Sequence, residues 1–196
     1  MEYLSVLSHI ARHISLDQGE MDYFTSLLKT RTVRRKEFLL QSGQPCTVIN
    51  YVHAGALRSF YRDSHDNEVT IMFAVADWWM TDMPCFINQQ PAMTSIEAMD
   101  DSTVFQLTKE NLEALYNKVP KFERFFRILM QNSYVREQLR TLQNLSLPAD
   151  ERYTKFLEKY PQLARQLTQK QIASYLGITP EFLSAIRRKW SKNVIS

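Results

Sequence analysis

The stretch LTQKQIASYLGITPEFLSAIRRKW, Leu167 to Trp190, decides how the rest of the chain is read. Thr168 and Gln171 stand at capping-box spacing and open a helix with Ile172, Ala173 and Leu176 on one face. Gly177 follows, where a left-handed residue without a Cβ ends a helix at little cost. Thr179 is then a natural N-cap and Pro180 a natural first helical residue. In the second helix Leu183, Ile186 and Trp190 fall at i, i+3 and i+7, which predicts that they face inward. The opposite stripe is Glu181, Ser184, Ala185 and Arg188, with Arg187 and Lys189 beside it. Ala173, four positions before the glycine, lets the two helices approach closely. Together these features predict a helix-turn-helix whose second helix enters the major groove of DNA.

The roles divide by chemistry. Glu181 can accept from a cytosine amino group, Ser184 can meet either base edge, and Arg188 can fork onto guanine or hold a phosphate. Thr168, Gln169, Lys170, Arg187, Lys189 and Lys192 suit the sugar-phosphate backbone, and Thr179 completes the candidate contact set. The competing reading of the stretch is an ordinary helical hairpin with a solvated basic face.

Charge supports the first reading. The chain of 196 residues carries a net charge of +3, unevenly placed. Residues 1–120 hold 10 Lys/Arg against 15 Asp/Glu, and residues 121–196 hold 14 against 6. An acidic module is therefore joined to a basic one that favours polyanions. A hydrophobic fraction of 44% with 12% aromatics is enough to bury a core, which argues against disorder. No apolar run of about 18 residues is present and the N-terminus lacks a signal-peptide pattern, so neither a membrane span nor export is expected. Cys46 and Cys85 are distant in sequence, form no CxxC pair and are too few for a four-Cys cluster, which fits a reducing cytoplasm.

Residues 1–30 read as two short helices, the second opened by Ser15 and Gln18 at capping-box spacing. From about Thr32 to Thr108 the runs FLLQ, TVINYVHAG, ALRSFYR, EVTIMFAV, TSIEAM and TVFQLT are separated by turn signals, the rhythm of an all-β sandwich or roll. Thr108 to Val119 reads as a helix, and Pro120 opens a longer one. Within it Phe125, Ile128, Asn132, Val135, Leu139 and Leu142 alternate spacings of three and four, a coiled-coil seam that predicts a homodimer. Phe122, Phe126, Leu129 and Met130 form a second stripe suited to packing on the β module. The alternative is one helix buried on two sides within a monomer. The expected class is α+β with an N-terminal, jelly-roll-like β-roll over 1–119, a dimerisation helix over 120–146, and an all-α helix-turn-helix domain over 147–196.

The chain resembles the Crp/Fnr family of bacterial transcription regulators. The resemblance runs over roughly residues 15–190. It rests on FLLQSG (Phe38 to Gly43), YVHAGALRSFY (Tyr51 to Tyr61), IEA at 96–98 and the helix-turn-helix, with Gly43, Gly55 and Gly177 on matched positions. It implies a cyclic-nucleotide-binding-type roll, a long dimer helix, a near-palindromic double-stranded operator and contact with RNA polymerase. Only about seven residues separate Pro161 from Thr168, as in shorter members without the hairpin before the helix-turn-helix.

The ligand residues depart from that pattern. Nucleotide-binding relatives hold the cyclic phosphate with a Gly-Glu pair and, some ten residues on, an Arg-Ser pair. Those positions fall here on Thr81-Asp82 and Ala92-Met93, with the following aromatic kept as Phe86. The phosphate-pairing Arg is absent. From Asp63 to Thr108 there is no Lys or Arg, against eight Asp/Glu, and no glycine lies between Gly55 and Gly177 to expose backbone N–H groups. Cyclic AMP in the usual mode is not expected. Trp78, Trp79, Met80, Asp82, Met83, Phe86 and Met93 are candidates for a pocket holding an uncharged effector, or else for the roll's filling.

Other signals are weak. His9 and His13 have zinc-compatible spacing but lack a third ligand, so no metal or other cofactor is expected. No serine lies in a GxSxG turn and neither cysteine has a basic setting, so no enzyme is expected. The sequence reading is a DNA-binding transcription regulator. Its alternative is a ligand-sensing or protein-interaction module that keeps the helix-turn-helix as a structural remnant.

Overall fold

A computed structural model describes residues 3–193, with side chains placed through Lys189. Two helices come first, α1 (Leu4–Ala11) and α2 (Gln18–Ser26). The capping box of α2 lies two residues beyond Ser15: Asp17 accepts from the Glu20 N–H, and Glu20 accepts in return from the Asp17 N–H. A carboxylate interacts with the helix dipole more strongly than a hydroxyl, which favours Asp17 at this end.

Among the described residues, eight strands form two antiparallel four-stranded sheets. One runs β1 (Lys29–Val33), β8 (Ser102–Thr108), β3 (Val48–Ala54), β6 (Trp79–Met80), and the other β2 (Phe38–Leu40), β7 (Ser95–Ala98), β4 (Ala56–Arg62), β5 (Glu68–Val75). The six apolar runs coincide with β2, β3, β4, β5, β7 and β8. Strands β1 and β6 have no such run, because β1 is an edge strand of sequence KTRTV and β6 has two residues. A short helix α3 (Met83–Asn88) follows β6. Then come α4 (Lys109–Lys118), α5 (Lys121–Ser146), α6 (Ala149–Lys159), a 3-10 turn (Leu163–Arg165), α7 (Gln169–Leu176) and α8 (Pro180–Asn193). No described helix is long and apolar enough to cross a membrane.

The first sheet presents Tyr51, Trp79 and Phe105 outward against Tyr3 and His9 at the N-terminus and Phe125 and Phe126 on α5. This corrects the seam. Phe125 is fully buried in its own chain, edge-on to Phe122, Phe126 and His9. The start of α5 lies over the roll, so its first apolar turns belong to the core. The free stripe begins at half-buried Ile128 and continues through exposed Asn132, Val135, Leu139 and Leu142. Phe122 and Phe126 pack on the roll, Leu129 is half-buried, and Met130 is exposed at the edge of the stripe.

Two buried cysteines distant in sequence meet here: the Cys46 N–H lies 3.0 Å from Cys85 Sγ. On the second sheet Arg58, 2% exposed, sits 2.8 Å from Glu97 Oε1 on β7 and 2.5 Å from Glu68 Oε2 on β5, with its guanidinium 4.2 Å from the Phe60 ring centroid. Burial lifts the Glu97 carboxyl above its usual range despite Arg58.

Gly55 closes the β3–β4 turn at φ +86°. A Cβ there would stand 2.2 Å from Ser102 Oγ and 2.7 Å from the Asp101 carbonyl. Gly55→Ala combines left-handed strain with a backbone clash, so a stability loss of about 2–4 kcal/mol is expected, read as a lowered urea midpoint of the roll.

Candidate nucleic-acid interface and roll cassette

The helix pair forms as its sequence dictates. Thr168 caps α7 with the reciprocal Gln171 bond, and Gly177 ends it at φ +65°. The Ile178 N–H then reaches back to the Ala173 carbonyl, and the Thr179 hydroxyl accepts from the Phe182 N–H to start α8. Leu183 and Ile186 are buried against Ile172, Ala173 and Leu176. The side chains of Trp190, read as their third inward partner, and of Lys192 lie outside the described residues.

The outward face carries Glu181, Ala185, Arg188 and Lys189, all exposed, with exposed Lys170 and Thr168 at the start of α7. Two of the predicted contact residues are bonded to each other: Gln169 Nε2 donates to Ser184 Oγ and to the Pro180 carbonyl. Ser184 is half-buried, so a base contact by it must share or replace that bond. Arg187 Nε donates to the Tyr153 hydroxyl at 2.9 Å, which ties α8 to α6. Sequence reasoning passed over Phe182. It is 52% exposed on the first turn of α8, beside Glu181, where an apolar ring can meet a thymine methyl. Its exposure beside an acidic residue that also points out was legible from the 100° helical step alone.

The reader is not a free appendage. Phe73 of β5 is fully buried among Phe156, Tyr160 and Tyr175, and Ala56 and Met99 of the roll join the same core as Ile172 and Leu183. Strand β5 is an edge, and α7 covers it: Ser174 Oγ donates to the Glu68 carbonyl at 2.7 Å and accepts from the Thr70 N–H at 2.8 Å. A bulge opposite Ser59 and Phe60 leaves Ile71 without a register partner, and Arg140 of α5 donates to its carbonyl.

The roll cassette has closed on itself. Asp82, 3% exposed, caps α3 through the Cys85 N–H at 3.1 Å. Its other oxygen accepts from the Met93 N–H, the Thr94 N–H and the Thr94 hydroxyl at 2.8–2.9 Å. The segment aligned with a phosphate-binding pair thus already donates to an internal carboxylate. The apolar set read around it does not converge. Trp79 and Met80 are neighbours on one strand and face opposite ways: Trp79 lies against Tyr51 and Phe126, while Met80 is buried in the core. Trp78 points to Tyr160, Arg136 and Lys159, Phe86 fills the core, Met83 is half-buried, and Met93 is 61% exposed. Proximity in sequence placed them together where strand alternation separates them, so they do not form one apolar effector pocket.

A β-roll held by a long helix to a helix-turn-helix defines a two-module regulator of the DNA-reading kind. Residues 30–119 match the cyclic nucleotide-binding domain family. The transcriptional activator protein anr of Pseudomonas aeruginosa is 23% identical over 201 residues, 95% of this chain and 81% of that protein. Two solved structures share the fold. One is the c-di-GMP responsive global regulator CLP of Xanthomonas campestris, with a TM-score of 0.74, 13% identity, and coverage of 90% of this chain and 93% of that one. The other is FixK2 of Bradyrhizobium japonicum, with a TM-score of 0.71, 20% identity, and coverage of 86% of each chain. Together these similarities support a transcription regulator of the Crp/Fnr type.

Asp82→Ala removes the acceptor for four buried or half-buried donors. A loss of about 2–4 kcal/mol in chemical denaturation is expected, with Asp82→Asn costing less because its amide oxygen still accepts.

Proposed function

We propose that this chain acts in the cytoplasm as a homodimeric transcription regulator that reads a near-palindromic double-stranded operator with α8. One observation carries the reading: α8 buries Leu183 and Ile186 while leaving Glu181, Phe182, Arg188 and Lys189 exposed on one accessible side. Glu181 and Phe182 stand at the N-terminal turn, the part of a recognition helix that meets base edges. Thr168, Gln169, Lys170 and Lys189 grip phosphates, with Arg187 shared between a phosphate and Tyr153. Thr179 sets the angle of α8 as its cap. RNA polymerase is the partner through which a bound regulator of this family acts.

Dimerisation rests on the outer stripe of α5. Val135, Leu139, Leu142 and Leu145 are 55%, 52%, 60% and 83% exposed in the single chain, a row of apolar side chains that water does not favour. A second copy of α5 covers them, with Asn132 as the one polar residue fixing register. The division into a roll (1–119), a dimer helix (120–146) and a reader (147–196) follows from this arrangement. Asp82 fills the cassette, so the roll does not take cyclic AMP in the usual mode.

Three measurements test the reading. Glu181→Ala with Arg188→Ala should lose about 1–3 kcal/mol of base discrimination at each contacted position in a binding-site selection, with non-specific affinity largely kept. Lys170→Gln should weaken all sequences alike and lower the salt slope by about one. Leu139→Glu should shift the protein from dimer to monomer in sedimentation. Unchanged sequence preference in the α8 double variant would favour the remnant alternative.

A further inference from the structure

A strongly basic concavity lies outside the roll. It is a cavity of about 380 Å³ between α5 and the reader, lined by Arg136 and Arg140 of α5 and by Arg152, Lys155 and Lys159 of α6. Its apolar wall includes Phe156 and Tyr175, Gln143 and Asn144 supply amides, and its rim shares Asn132, Val135 and Leu139 with the dimer stripe of α5. Five cations therefore face one space. Among the described residues Glu137 is the only carboxylate paired with any of them, 3.7 Å from Arg136 Nε and 3.5 Å from Arg140 Nη1. It is itself half-exposed.

The cations are not fully used by the protein. Arg136 lies over the Trp78 ring and donates to Ser133, and Arg140 donates to Ile71 and lies over Tyr175. Arg152 donates to the Leu176 carbonyl at 2.6 Å, but its Nε is buried without a hydrogen-bond partner, as is Arg136 Nε. Neither Lys155 nor Lys159 has a carboxylate within ion-pair distance among the described residues. Burial, reinforced by Arg136 and Arg140, pulls the Lys159 ammonium down to about 8 even though Glu137 opposes the shift. Like charges gathered around one space beside an apolar wall attract an anion.

We propose that this cleft binds a multiply charged phosphorylated ligand carrying a planar ring, of the nucleoside diphosphate class, between the long helix and the reader. The phosphates meet Arg152, Lys155 and Lys159, and the ring lies along Phe156 and Tyr175. The volume falls within the range of small-molecule sites. The binding claim stands without the operator assignment. Its consequence rests on that assignment: a ligand bridging α5 and α6 fixes the angle at which α8 is presented.

The test is calorimetric titration of the intact protein, free of DNA, with ADP, inorganic pyrophosphate and adenosine at constant ionic strength. ADP is expected to bind more tightly than pyrophosphate, and adenosine least. Lys155→Gln, an exposed substitution that leaves every described hydrogen bond in place, should weaken ADP by about tenfold, and the Lys155→Gln, Lys159→Gln pair further. Arg188→Gln on the far side of the reader should leave ADP binding unchanged. No binding of ADP or pyrophosphate to the wild type at millimolar concentration overturns the site. So does equal affinity for adenosine and ADP, equal ADP affinity in Lys155→Gln and wild type, or loss of ADP binding in Arg188→Gln. A failure of operator binding with ADP affinity intact would count against the regulator reading and leave the cleft standing.

Discussion

Glu68 is the residue through which the two modules are held. Its carboxylate reaches into the second sheet to the buried Arg58 guanidinium, which also contacts Glu97. Its carbonyl, at the exposed edge of β5, accepts from Ser174 on the first helix of the reader. An uncovered edge strand is a template for unwanted pairing, and its backbone groups must find partners if they are buried. Here the partners come from the DNA-reading domain. Ser174 satisfies Glu68 and Thr70, Arg140 satisfies the bulged Ile71, and Phe73 enters the reader's core beside them.

That arrangement makes the position of α8 depend on the state of the roll. The reader's core contains roll residues, so α7 cannot leave β5 without exposing Phe73 and unpairing Thr70 and Glu68. The same contacts explain why the covering helix carries serine at position 174: a single hydroxyl can donate to one strand carbonyl and accept from the next strand N–H, which no apolar side chain can do. Alanine there would keep the helix and lose both hydrogen bonds to the strand edge. The burial of Arg58 follows the same logic, since its charge is tolerable only with both carboxylates present.

Much of this was legible in the sequence where the signal is local. Capping at Thr168, the glycine at 177, the proline at 180 and the apolar runs of the roll strands act over a few residues, and each is found where the sequence puts it. Long-range facts were not legible. Nothing near Phe125 says that the first turns of α5 lie over the roll, so a regular three-four spacing carried the seam one heptad position too far. Asp82 reads as a weakened phosphate ligand, yet its oxygens are taken by Met93 and Thr94, eleven and twelve residues on. The Trp78 to Met93 set looked like a pocket because apolar residues crowd the sequence there, and β6 sends neighbours to opposite faces. Phe182 carries no charge to mark it on α8, although its exposure follows from helical geometry.

The charge asymmetry noticed first acquires a location in the fold. The roll's segment from Asp63 to Thr108 is acidic, and within it the Asp82 side chain accepts from the Cys85, Met93 and Thr94 N–H groups. Positive charge is instead concentrated along α5 and α6, where the two modules meet, and on α8. A phosphate-bearing molecule therefore encounters repulsion at the acidic segment of the roll and attraction at the joint. The joint is also where a small displacement is transmitted most directly. Arg140 and Arg152 bond the strand edge and the end of α7 respectively, so anything that draws their guanidinium groups into the cleft acts on the contacts that orient the reader.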